Sequence, residues 1–146
     1  MIAVSGCLAG ERCKYDGTDN CVRSLKELVE NGEAVTICPE VMGGLSVPRD
    51  PCERKGDCVC TQKGKDCTAE YKKGAEKALD LLLQKGITTA IMKAKSPSCG
   101  KGLIYDGTFT RTLTEGNGVA AQLLIDHGIR VITEKEWEKE KENSTQ

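Results

Sequence analysis

Three short apolar runs, Ile2–Val4, Ala34–Ile37 and Thr88–Met92, constrain this chain most, because each leads into a segment that carries a cysteine: Cys7, Cys38 and Cys99. Short apolar runs bounded by turn residues read as buried strands. Helical spacing fills the intervals between them. Val22, Leu25, Leu28 and Val29 share one face between Cys21 and Asn31. Ala75, Ala78, Leu79, Leu82 and Leu83 form the inner face of a helix from Thr68 to Lys85, which Gly86 ends. Asn117–His127 reads as another helix, followed by a strand over Ile129–Thr133. Strands alternating with helices specify a parallel sheet covered on both faces. The expected fold is a single three-layer, Rossmann-like α/β domain over residues 1–134, with a mostly parallel sheet. In open α/β sheets ligands bind outside the carboxyl ends of the strands. Three thiols at such ends are what a metal or iron–sulfur site requires. The competing reading is that each thiol is a small buried hydrophobe.

The connections carry their own signals. After the third strand, Lys95-Ser96-Pro97-Ser98-Cys99-Gly100 places two hydroxyls and a thiol on one turn, with Pro97 biasing Ser96 to an extended conformation. Pro39–Pro51 reads as a loop. Residues 52–67 read as a small edge hairpin around Cys58-Val59-Cys60-Thr61. Thr68 can cap the helix that follows. Ile104-Tyr105-Asp106-Gly107-Thr108-Phe109 is a loop or hairpin echoing Tyr15-Asp16-Gly17. Thr133-Glu134-Lys135-Glu136 matches a capping box. It opens a charged tail, 135–146, in which Trp137 serves as an anchor.

Nine cysteines in 146 residues are abnormal. A secreted chain would use them as a disulfide framework, but the first residues lack the basic and apolar stretches of a signal peptide. A cytoplasmic location is expected, where thiols stay reduced and bind metal or do chemistry. The net charge of -1, the 3% aromatic content and the absence of a basic stripe argue against binding a nucleic acid polymer. No apolar run reaches membrane-spanning length. Oligomeric state has no sequence signal. Cys52, Cys58, Cys60 and Cys67 crowd the hairpin and could hold a tetrahedral zinc, although Cys-x-x-Cys pairs are missing. Cys13 can approach the site of Cys7.

Glu40, two residues after Cys38 on a proline-stiffened loop, can serve as general acid or base, or as a loop or capping carboxylate. Ser96 and Ser98 can orient a water or substrate, or hold the turn by local hydrogen bonds. Arg49 can grip a carbonyl or an anion, though an exposed ion pair is the commoner fate. His127, the one histidine, suits a helix C-terminus, where a cation complements the dipole. Ser–His and Cys–His mechanisms therefore lack a partner.

Taken together, Cys7-Leu8-Ala9-Gly10, Cys13-Lys14-Tyr15-Asp16-Gly17, Cys38-Pro39-Glu40, Gly43-Gly44-Leu45, Pro48-Arg49, Ser96-Pro97-Ser98-Cys99-Gly100 and Ile104-Tyr105-Asp106-Gly107 resemble, in order and spacing, a bacterial family that includes the thiouracil desulfidases. The resemblance runs from Ile2 to about Glu134. It implies a [4Fe-4S] cluster on three cysteines, with one open iron that takes sulfur from a thiolated nucleobase without net redox change. Carried over, Cys7, Cys38 and Cys99 are the ligands, with Cys13 the alternative to Cys38, and Glu40 and Ser96 are the catalytic pair. The other classes to weigh are a zinc- or iron–sulfur-stabilised binding module and a thiol redox or sulfur-carrier protein.

Overall fold

The computed structural model describes residues 1–144. In chain order the elements are β1 (Ile2–Ser5), a 3-10 turn (Gly6–Ala9), α1 (Arg23–Glu30), β2 (Ala34–Ile37), α2 (Pro39–Met42), β3 (Cys52–Lys55), β4 (Cys58–Thr61), α3 (Thr68–Lys85), β5 (Thr89–Met92), β6 (Leu103–Tyr105), β7 (Leu113–Glu115), α4 (Val119–Asp126), β8 (Arg130–Thr133) and α5 (Glu134–Ser144). The main sheet runs β2-β1-β5-β8 and every pairing in it is parallel. The expected α/β class and parallel sheet are found.

Strand alternation builds the layers. Ala3, Ala90, Met92 and Val131 face one way and pack with Ala75, Ala78 and Leu82 of α3 and with Ala120, Ala121 and Leu124 of α4. Val4, Ile91 and Ile132 face the other way and pack with Leu25 and Leu28 of α1 and Trp137 of α5. The period of two along each strand thus feeds two cores, one on each face of the sheet. The alanines on α3 and α4 let these helices sit close to each other and to the sheet. Thr133 and Glu136 form the expected capping box: each backbone N–H donates to the other's side chain at 3.2 Å. Trp137 is the anchor expected of the tail; Thr145 and Gln146 lie outside the described residues.

Several local expectations need correction. The stretch after Cys38 is not all loop, because Pro39–Met42 makes one helical turn. Proline is favoured in the first turn of a helix, where its missing N–H costs nothing. Thr68 is the first residue of α3 rather than its cap. Its N–H donates to Asp66 Oδ1 at 2.8 Å, and its hydroxyl accepts from Val59 N–H at 2.9 Å. Leu83, placed on the inner face of α3, is 55% exposed. Of the two readings left open for Ile104–Phe109, loop or hairpin, the structure has the hairpin: β6 and β7 pair antiparallel, beside the hairpin of β3 and β4.

Two glycines fix how α2 meets α3. A Cβ on Gly74 would overlap the Pro39 carbonyl, and one on Gly43 would overlap the Glu70 carbonyl. Backbone therefore rests on backbone where the two helices touch. Gly74 costs about 1 kcal/mol of helix propensity relative to alanine, and the close approach explains why it is there. The same approach brings Glu40 over the first turn of α3.

Candidate active site

The chain leaves β1 towards β2 on one side and later returns to β5 on the other, so the strand order reverses between β1 and β5. Such a reversal opens a crevice at the carboxyl end of a parallel sheet. Cys7 follows β1 in the 3-10 turn, Cys38 follows β2 as the residue before α2, and Cys99 follows β5 on the Ser96–Gly100 turn. Topology thus carries all three predicted cysteines to one edge.

They sit in one electrostatic neighbourhood. Burial pushes the Cys7 thiol up to about 11, with Cys38 and Glu40 adding to the rise while Asn20 and Lys93 oppose it. Asn20 Nδ2 donates to Cys7 Sγ at 3.7 Å. Burial also raises Cys99, followed by the charge of Glu40 and then Cys38 and Cys7; a hydrogen bond with Ser5 works against them. Ser5 Oγ itself accepts from Lys93 N–H at 3.1 Å. Cys38 is lowered, first by a hydrogen bond from Cys13 and then by Val41 N–H and Arg49, against its burial. Cys13 is raised by the same bond. Cys13 is therefore drawn to the site, beside Cys38, as the sequence allowed.

Glu40 stands among these sulfurs, and Cys7, Cys38 and Cys99 all feel its charge. Its Oε2 accepts from Tyr71 Oη at 2.9 Å and from Arg49 Nη2 at 3.2 Å. The Arg49 side chain is 8% exposed, so the expected exposed ion pair is in fact a buried one. Arg49 also donates to the Cys13 carbonyl at 2.9 Å and the Ser46 carbonyl at 3.1 Å. One guanidinium thus ties the loop after β1, the loop after α2 and Glu40 together, which a fixed fork of donors does better than an ammonium.

Ser96 holds the turn. Its Oγ accepts from Ser98 N–H at 3.1 Å and from Cys99 N–H at 3.0 Å. The turn's carbonyls in turn accept the first N–H groups of α4: Val119 donates to Pro97 O at 2.8 Å and Ala120 to Ser98 O at 2.9 Å. His127 sits where a C-cap was expected, with Nδ1 2.9 Å from Leu123 O.

The hairpin cysteines feel one another's charge, but they do not gather on one face. Antiparallel pairing puts Cys52 opposite Thr61 and Arg54 opposite Val59, on the face that packs inward with Cys67 and Tyr71. Cys60 and Cys58 point the other way, opposite Glu53 and Lys55. Strand alternation therefore separates the four thiols, which removes the tetrahedral zinc. Among the described residues no three histidine, cysteine or carboxylate side chains close on a single metal ion. A cavity of about 590 Å³ beside the hairpin is lined by Ser46, Arg49, Cys52, Cys67 and Glu70, and by none of the sheet-edge thiols.

Sequence reasoning missed Tyr71, Asn20 and Ser5. Only Tyr71 carried a signal: it continues the buried stripe of α3 at Ala75, Ala78 and Leu82, one turn ahead of an otherwise unexplained helix glycine.

Comparison with known proteins agrees with this fold. A protein of Bacillus subtilis (strain 168), the uncharacterized protein YbbK, is 40% identical over 146 residues, covering 93% of this chain and 97% of that one. A solved structure, the [4Fe-4S]-dependent thiouracil desulfidase TudS, is 45% identical and superposes with a TM-score of 0.90 over 94% of this chain and 93% of that one. The 2-thiouracil desulfurase family matches residues 2–136, and this chain belongs to it.

Proposed function

We propose that this protein is an iron–sulfur-dependent, non-redox desulfidase that converts a thiolated nucleobase, 2-thiouracil, to uracil and sulfide. The observation that carries the reading is Glu40, held by two donors among the buried thiols of Cys7 and Cys99 and the half-buried thiol of Cys38, at the switch point of the sheet. Family membership and the similarity to TudS support it.

The donor set fits a cluster. Cys7, Cys38 and Cys99 are near enough to feel one another's charge, and thiolates are the usual ligands of an iron–sulfur cluster. Burial and mutual repulsion oppose ionisation of Cys7 and Cys99, and bound iron would relieve both. The Ser98 hydroxyl, next to Cys99 in sequence, is wholly buried and has no partner among the described residues. Cys38 is the third ligand in this reading, since it lies at a strand end and yields its proton more readily than Cys13, its hydrogen-bond partner. When bound, a cluster with one open iron supplies a soft Lewis acid for the leaving sulfur.

The remaining chemistry falls to side chains. Overall, thiocarbonyl plus water gives carbonyl plus hydrogen sulfide, with no change in oxidation state. Glu40 takes a proton from the attacking water through Oε1, while Tyr71 and Arg49 hold Oε2. Ser96 spends its lone pairs on two backbone N–H groups, which leaves its O–H to donate to the attacking water or to the oxygen that develops charge. A thiol-carrier role fits less well, because burial holds the Cys7 and Cys99 thiols up and thiolate is the reactive form. Protein purified and reconstituted without oxygen should contain iron and acid-labile sulfide and release sulfide from 2-thiouracil. A colourless protein that holds no iron would refute the reading.

A further inference from the structure

Tyr71 is 1% exposed and lies in the first turn of α3, beneath α2. Its hydroxyl donates to Glu40 Oε2 at 2.9 Å. The Cys52 thiol meets the same phenol oxygen from the hairpin side. Burial, then the charge of Glu40, raises the phenol far above its ordinary range. Burial likewise raises Cys52 to about 12. Burial thus favours the neutral form of both groups, in which Tyr71 keeps the proton it donates to Glu40. Among the described residues Glu40 Oε1 receives no hydrogen bond.

We infer that Tyr71 is the positioning residue for Glu40: it fixes which carboxylate oxygen is occupied and so which one faces the reacting water. The inference rests on the reading of Glu40 as the base. Arg49 shares Oε2, but it also holds the carbonyls of Cys13 and Ser46, so its loss would disturb two loops. Tyr71 has the narrower task. It adds no charge, and it lies one turn before Gly74, where the backbone of α3 rests on the Pro39 carbonyl. Loss of a hydrogen bond to a charged group costs about ten- to a hundredfold, and a carboxylate displaced by about 1 Å can cost a hundredfold in rate.

Tyr71→Phe removes the hydroxyl and leaves the buried ring. In the cluster-loaded enzyme it should lower kcat for 2-thiouracil about ten- to a hundredfold, with KM and iron content unchanged. In a Glu40→Gln background the same substitution should lower residual kcat no further, because a group acting through Glu40 has nothing left to position. The carboxylate stretch of Glu40, isolated as the infrared difference between wild type and Glu40→Gln, should shift in Tyr71→Phe. Wild-type kcat in Tyr71→Phe, an unshifted stretch, or an equal fall in both backgrounds would overturn the inference while leaving the base in place. Wild-type kcat in Glu40→Gln would overturn both.

Discussion

Two groups of four cysteines sit in this molecule and meet opposite fates. Cys7, Cys13, Cys38 and Cys99 come from segments as far apart as positions 7 and 99 and meet in one neighbourhood, because parallel strands all end on the same side. Cys52, Cys58, Cys60 and Cys67 fall within sixteen residues and are divided between two faces, because strand pairing alternates. Crowding in sequence is therefore the poorer guide to which thiols gather at one place. Position on the sheet is the better one. The ninth, Cys21, is exposed and belongs to neither group.

The sharpest test of the contrast is iron content. Cys7→Ala or Cys99→Ala should abolish iron binding, whereas Cys58→Ala or Cys60→Ala should leave it intact; iron and acid-labile sulfide assays after anaerobic reconstitution decide it. Full iron in both of the first two variants would dissolve the distinction. Within the sheet-edge group a smaller difference is expected. Cys38→Ser should lose the cluster, and Cys13→Ser should keep most of it, read from absorbance in the visible blue. The opposite result would make Cys13 the third ligand.

The scaffold beneath the first group can be broken without touching a sulfur. Gly74→Ala forces a Cβ into the Pro39 carbonyl. Overpacking of that kind costs about 1–3 kcal/mol, so the thermal midpoint should fall and desulfuration with it. An unchanged midpoint would mean that α2 and α3 need not touch.

These elements show what a sequence makes visible. Strands and long helices were legible because apolar periods of two and 3.6 are written in consecutive residues, and the ligand candidates followed from where strands end. The helical turn at Pro39–Met42 was hidden, since four residues flanked by proline and glycine carry no period. Arg49 looked exposed because nothing local reveals that its loop folds back onto Glu40. Tyr71 went unread, because a hydroxyl's partner thirty-one positions away is a property of packing. The splitting of the hairpin thiols was readable in principle from the alternation in Cys58-Val59-Cys60.

The smallest expected effect is on thiol reactivity. Cys52 is raised from 9.0 to about 12, chiefly by burial. A thiol whose folded value is raised stabilises the fold fully below its unfolded value, and that contribution fades as pH climbs from about 9 to about 12. Peptide-level alkylation should find exposed Cys58 labelled at pH 8 and Cys52 protected until strongly alkaline pH. Equal labelling of the two at pH 8 would place Cys52 outside the packed face.

The central claim is that the sheet-edge site holds a cluster and that Glu40 does the proton chemistry beside it. Sulfide release from 2-thiouracil, compared between wild type and Glu40→Gln at equal iron content, tests it most directly. The wild type should yield one sulfide per uracil, and Glu40→Gln should keep its visible absorption while losing on the order of a hundredfold or more in rate. Near-wild-type turnover in Glu40→Gln, or none in an iron-replete wild type, would contradict it.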